Sequence, residues 1–105
     1  MIKVQNEILM IPQSDILFVE KQDKCSLIHT GNKVCKICQP LSELEGKLGG
    51  NFLRVHKSFV VNMDRINRIR DLSNRSYEIS FNGYDKVAFM SRYKFEEHKH
   101  RFTPL

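Results

Sequence analysis

Residues 52–62, Phe-Leu-Arg-Val-His-Lys-Ser-Phe-Val-Val-Asn, set a compact polar group inside a run of good strand formers. Arg54, His56 and Lys57 crowd around Ser58, and three chemistries use such residues. A serine can be a nucleophile with histidine as its base. Ser58 and His56 would share one face of a strand, but no third group orients the histidine as a triad requires. Histidine can also ligate a metal, and Cys35-Lys36-Ile37-Cys38 adds zinc-like spacing, with Cys25 and His29 nearby. Two cysteines three apart on a strand point to opposite faces, and no second CxxC or CxxH pair completes a tetrahedral set. His98-Lys99-His100 reads as a solvated segment. The third chemistry is a cationic hand for an anionic ligand, and it is the one left standing.

Other enzymatic devices are missing. Gly49-Gly50 precedes a strand instead of opening a helix, so it is no phosphate loop. Glu43/Glu45 and Glu96/Glu97 fall on exposed helix surfaces. The expectation is a binding protein, not an enzyme, with no cofactor and no metal.

Charge distribution supports the third chemistry. The chain carries 17 Lys+Arg against 12 Asp+Glu, a net +5. Residues 1–52 hold six lysines and six acids, whereas residues 53–105 hold eleven basic and six acidic side chains. All seven arginines (54, 65, 68, 70, 75, 92, 101) lie in that second half. The planar arginine fork suits phosphates and guanine edges. A solvated basic face accounts equally well for a charge of this size taken alone.

The elements must position these groups. The 105 residues suffice for a single domain spanning 1–105 with a modest core, and 41% hydrophobic content argues against disorder. No apolar run approaches the roughly 18–20 residues of a membrane span, and no signal-peptide pattern opens the chain. Three cysteines make no disulfide framework, which fits a reducing cytoplasm. Short extended segments are predicted at 2–4, 7–11, 16–21, 26–30 and 33–38, with a turn or a single helical turn at 12–15 and a polar loop at 22–25. Gly31-Asn32 is a hairpin signal. One helix is predicted over Pro40–Gly49, with Pro40 in its first position, Leu41, Leu44 and Leu48 on one face, and Gly49 as left-handed cap. Ile66 and Ile69 mark another strand, ended by Ser73-Asn74. Tyr77, Ile79 and Phe81 alternate as in a half-buried strand, and Asn82-Gly83 predicts a tight type I′ hairpin into 86–90. A short helix over 93–99 begins at Ser91.

Within residues 52–62, strict alternation would bury Lys57 beside Val55, which is costly for an unpaired charge. The pattern therefore predicts a break at 56–58 with Lys57 at an exposed tip, after which Phe59-Val60-Val61 returns to the core. A satisfied turn remains the alternative for His56, as a cap, and for Asn62, bonded to its own chain.

The whole stretch FLRVHKSFVVNMDRINRI resembles the signature of the LytTR DNA-binding domain. DILFVE is similar to that family's early strand, PLSELEGKLGGNF to its short helix, and VAFMSRYKFEE to its closing strand with Ser-Arg before a terminal helix. The resemblance covers nearly the whole chain. It implies a mainly β fold, an elongated sandwich of about eight to ten short antiparallel strands with one or two short helices. It further implies the output domain of a bacterial transcriptional or response regulator in a two-component system. The partners implied are double-stranded promoter DNA at paired direct repeats with bending, a receiver or sensor domain, and a homodimer on DNA, with no membrane.

Three loops read DNA in the family. The first maps to Asp23–Ser26, where Lys24 and Cys25 are the base-contact candidates. The second is the His-Lys-Ser turn, with Lys57 on the base edge where arginine is commoner. The third is the Ser-Arg corner, with Arg92 on the base edge. His56, Ser58, Ser91 and Lys94 suit phosphate contacts, while Asn62 and Phe59 are structural support. Two other classes compete. One is a single-stranded nucleic-acid binder of OB or cold-shock type, stacking bases on Tyr77, Phe81 and Phe89. The other is a protein-interaction module with an incidental basic face.

Overall fold

Apolar residues alternate with polar ones along some strands, such as 52–56 and 76–81, and run unbroken along others, such as 16–19, where both faces of the strand are buried. The computed structural model describes residues 2–4 and 7–102. Among these residues ten strands form three antiparallel sheets. β1 (Ile2–Val4) and β2 (Glu7–Leu9) make a two-stranded ribbon. β3 (Ile16–Gln22), β4 (Cys25–Thr30), β5 (Val34–Ile37), β6 (Phe52–His56) and β7 (Phe59–Asn62) form a five-stranded sheet in the order β5-β4-β3-β7-β6. β8 (Ile66–Asp71), β9 (Ser76–Phe81) and β10 (Ala88–Ser91) form the third sheet, with β9 central. The elongated β architecture expected from the sequence is present, with overall dimensions of 44 × 25 × 24 Å.

Two apolar clusters hold the layers. Leu17, Phe18, Leu53, Val55 and Val61 of the large sheet pack against Tyr77, Ile79, Phe81, Ala88 and Met90 of the small one. On the other face Ile16, Val19, Ile28, Ile37 and Val60 pack beneath Leu41 and Leu44 of a short helix. Tyr77 and Phe81 are thus core residues, which removes two of the three rings of a stacking platform. Phe89 lies on the opposite face of its strand and is 36% exposed.

Several boundaries differ from expectation. The helix α1 spans only Leu41–Glu45, and Pro40 is its N-cap, not its first helical residue. Gly46 ends it in a right-handed conformation, after which Lys47 and Leu48 donate i→i−3 bonds to Leu44 and Glu45. Glycine at position 46 weakens the helix before a third turn can form. Gly49 is therefore no left-handed cap, and Gly83 alone among the glycines has positive φ. Leu48 still packs with the Leu41 and Leu44 cluster.

The tight hairpin at Asn82-Gly83 is also absent. Tyr84 N–H donates to Phe81 O at 3.1 Å with Gly83 at φ 75°, the pattern of a type II turn, and β10 begins only at Ala88. Tyr84 is drawn inward instead. Its hydroxyl lies 2.7 Å from His29 Nδ1, while His29 Nε2 lies 2.7 Å from Glu20. The buried imidazole thus bridges the carboxylate and the phenol through its two ring nitrogens. Burial, followed by the charges of Asp85 and Glu20, pushes the Tyr84 phenol up from its ordinary value.

Candidate nucleic-acid interface

The predicted break at residues 56–58 is a two-residue turn, Lys57-Ser58, between β6 and β7. Burial alternates along β6, with Leu53 and Val55 inward and Phe52, Arg54 and His56 half-buried. Lys57 is exposed, and its ammonium has no partner among the described residues.

Two side chains fix this turn. His56 Nδ1 accepts from Ser58 N–H at 3.0 Å, so in the neutral ring the proton sits on Nε2 and leaves that nitrogen as a donor. Burial first, and then the charges of Lys57 and Arg54, lowers the His56 pKa below its ordinary value, favouring that neutral form. Arg54 clamps the turn from the other side. Its Nε donates to His56 O at 2.9 Å, Nη2 to Lys57 O at 2.6 Å, and Nη1 to Glu45 of α1 at 2.8 Å. The sequence marked Arg54 only as one more cation. A fork that closes on the carbonyls of the turn it precedes becomes visible only when the backbone is folded.

Asn62 is 1% exposed, and both the oxygen and the nitrogen of its amide are bonded. Nδ2 donates to Ile16 O at 2.9 Å, while Oδ1 accepts from Asp64 N–H at 3.0 Å and from Asn51 Nδ2 at 2.9 Å. Phe59 sits at the junction of three rings, 6.1 Å from Phe18, 5.8 Å from His56 and 6.0 Å from Phe89.

The first loop is shorter than expected. Strands β3 and β4 leave only Asp23-Lys24 between them, with Asp23 at φ 56°. Lys24 is exposed at this tip. Ser26 is buried and donates to Gln39 O at 2.7 Å, so the tip stops before it. Cys25 begins β4 with its Sγ 2.9 Å from Cys38 Sγ, a contact of opposite partners from the Cys35/Cys38 spacing. The hydrogen bond to Cys38, with some desolvation, raises the Cys25 thiol pKa. Lys21 N–H donates to Ser58 O at 2.8 Å, which holds the first and second tips side by side at one end of the large sheet.

At the third loop β10 ends at Ser91, which caps the helix α2 (Arg92–His98) by accepting from Lys94 N–H at 3.2 Å. Arg92 is exposed in the first helical position, and its guanidinium has no partner among the described residues. Lys94 pairs with Glu97 at 3.5 Å. Phe89, two residues before Ser91, is the ring that meets Phe59, so the second and third loops share an aromatic contact. Arg75, unmarked in the sequence reading beyond its charge, accepts the Arg92 N–H through its carbonyl at 3.1 Å.

The LytTr DNA-binding domain family matches residues 6–103 of this chain. The chain belongs to the LytTR family. A solved LytTr DNA-binding domain from Bacillus cereus has the same fold as this LytTR domain, with a TM-score of 0.78 at 21% identity over 93% of this chain and 90% of that one. Among curated relatives, the transcriptional regulatory protein NatR of Bacillus subtilis (strain 168) is 29% identical over 93 residues, 88% of this chain and 40% of NatR. The transcriptional regulatory protein LytR of Staphylococcus aureus (strain N315) is 24% identical over 98 residues, 89% of this chain and 40% of LytR. The transcriptional regulatory protein YpdB of Escherichia coli O6:H1 is 29% identical over 91 residues, 86% of this chain and 37% of YpdB. The LytTR domain here therefore spans about 40% of the length of these relatives.

Proposed function

We propose that residues 1–105 form one domain that binds double-stranded promoter DNA in a sequence-specific manner for a bacterial transcriptional regulator. The observation that carries this reading is the Lys57 tip, an exposed ammonium without a partner among the described residues, on a turn that Arg54 fixes from behind. Lys57 and Arg92 read base edges in successive major grooves. Arg92 can donate bidentately to guanine O6 and N7, and Lys57 reaches the same acceptors as a point donor. Lys24 and Cys25 serve the first loop, with Cys25 the weaker reader because its thiol faces Cys38. His56 through Nε2–H, Ser58, Ser91 and Lys94 hold phosphates and set register. The 44 Å long axis exceeds the ~34 Å repeat of the duplex, a length that suits contact across more than one turn.

In the same reading, paired direct repeats place two copies on bent DNA, and a receiver or sensor domain supplies the signal. The relatives' greater length leaves room for such a segment. The location is cytoplasmic, and among the described residues no helix is long and apolar enough to cross a membrane. Selection of duplexes from a random pool tests class, specificity and repeat spacing together. Arg92→Ala should then cost about 1–3 kcal/mol on the selected duplex and relax one base position. Lys94→Ala should weaken all sequences alike. Equal loss on selected and scrambled duplex for Arg92→Ala defeats the base-reading role.

A further inference from the structure

The turn joining β8 to β9 contains two residues in the left-handed region, Ser73 at φ 63° and Arg75 at φ 70°. Such positions favour glycine or asparagine, because an L side chain there crowds its own backbone. Glycine occupies neither. Ser73 N–H is held by the Asp71 carboxylate at 2.8 Å, and Leu72 N–H donates to Ser76 O at 3.1 Å, so local bonds support the turn. None of them uses the arginine side chain.

Arg75 is nevertheless fixed in place. Ser76 pairs with Ser91 across β9 and β10, and the Arg92 amide donates to the Arg75 carbonyl. The two arginines thus leave adjacent stretches of backbone. Between the turn and the corner lies an open concavity of about 660 Å³, lined by Ser73, Arg75, Ser91, Arg92 and Tyr93. Neither guanidinium has a partner among the described residues, whereas Arg54 and Arg70 pair with Glu45 and Glu78. Ser91 accepts from Lys94 N–H through its oxygen and keeps its own O–H free to donate. Among the described residues no carboxylate lines the concavity, and the nearby Asp71 carboxylate is engaged by Ser73 N–H.

We propose that Arg75 is a phosphate-binding residue, holding a phosphodiester of the duplex in this concavity beside the base that Arg92 reads. This rests on the DNA-reading assignment and adds a contact to it. A side chain kept at a backbone-unfavourable position, without a partner among the described residues, next to a second such arginine and three hydroxyl groups, has the chemistry of an anion clamp. Such a contact sets position without reading sequence.

Arg75→Gly separates this role from a structural one, because glycine suits the backbone while removing the guanidinium. Affinity for duplex should fall about fivefold at roughly 0.15 M salt, the effect of one phosphate's counterion release. The loss should be equal on selected and scrambled duplexes, and the plot of log affinity against log salt should be shallower by about 0.9. Thermal midpoint should hold or rise. Arg75→Asn, which also tolerates the backbone, should behave as Arg75→Gly does, and Arg75→Lys should recover most of the affinity.

Parent affinity and salt slope in a folded Arg75→Gly domain would overturn the proposal. So would a loss confined to the selected duplex, or one seen with glycine and not asparagine. Absence of duplex binding by the unaltered chain is a different failure, since it removes the DNA-reading assignment itself.

Discussion

Replacing Arg54 with alanine removes three bonds at once, and their geometry sets the expected cost. Two are charge-assisted donations to carbonyls of the turn, at 2.9 Å and 2.6 Å, and the third is the 2.8 Å ion pair to Glu45. The arginine side chain is only 25% exposed, but Glu45 is 42% exposed, so water competes for the ion pair more than for the turn bonds. Each turn bond is worth about 1 kcal/mol net and the pair about 0.5 kcal/mol, or about 2.5 kcal/mol together. A domain of this size should lose roughly 10–15 °C in melting temperature. Arg54→Lys is the sharper probe, because it keeps the charge and forfeits the fork. It should recover less than half of the stability. On DNA it should narrow the gap between selected and scrambled duplexes, since the turn that aims Lys57 is loosened. A double-mutant cycle with Glu45→Gln should return a coupling of about 0.5 kcal/mol. Parent melting and parent discrimination in Arg54→Lys would refute the clamp.

Three further outcomes follow from other contacts. The His56 pKa is lowered in the folded protein, so the unfolded chain takes up that proton at higher pH. Stability from this site is full above the ordinary value of about 6.5 and declines as pH falls toward the lowered native value, a slope that urea titrations should show in the parent and not in His56→Gln. Asn62→Ala leaves Ile16 O and Asp64 N–H without their partner and should cost about 2–4 kcal/mol in urea unfolding. Cys25 donates to Cys38, which raises its pKa, so Cys38→Ala should quicken alkylation of Cys25 by iodoacetamide at fixed pH.

Much of the second loop was legible because burial rules act locally. A lysine between Val55 and Phe59 had to leave the strand, and it does so at a two-residue turn. Asn62 and Ser91 were legible for the same reason, since each caps a segment within three residues of itself. Long-range pull was not legible. Asn82-Gly83 carries the local signature of a tight hairpin, yet the attraction of Tyr84 for His29, 55 residues away, opens the connection to six residues. The meeting of Cys25 with Cys38 depends on how β4 and β5 register, while the CxxC spacing pointed to Cys35. Arg75 was hidden because positive φ is a property of the folded turn.

The edge contact between Phe59 and Phe89 has a mechanical meaning. Phe59, two residues after Lys57, packs against the buried core, and Phe89, two residues before Ser91, meets it edge-on from the exposed face of its strand. That contact braces the interval between Lys57 and Arg92, as a strut braces the gap of a caliper. Under the proposed DNA reading, a duplex that presents its bases at a different interval would have to take up part of the mismatch by bending or twisting. Base pairs lying between the two corners would then tune affinity by their own flexibility, untouched by any side chain.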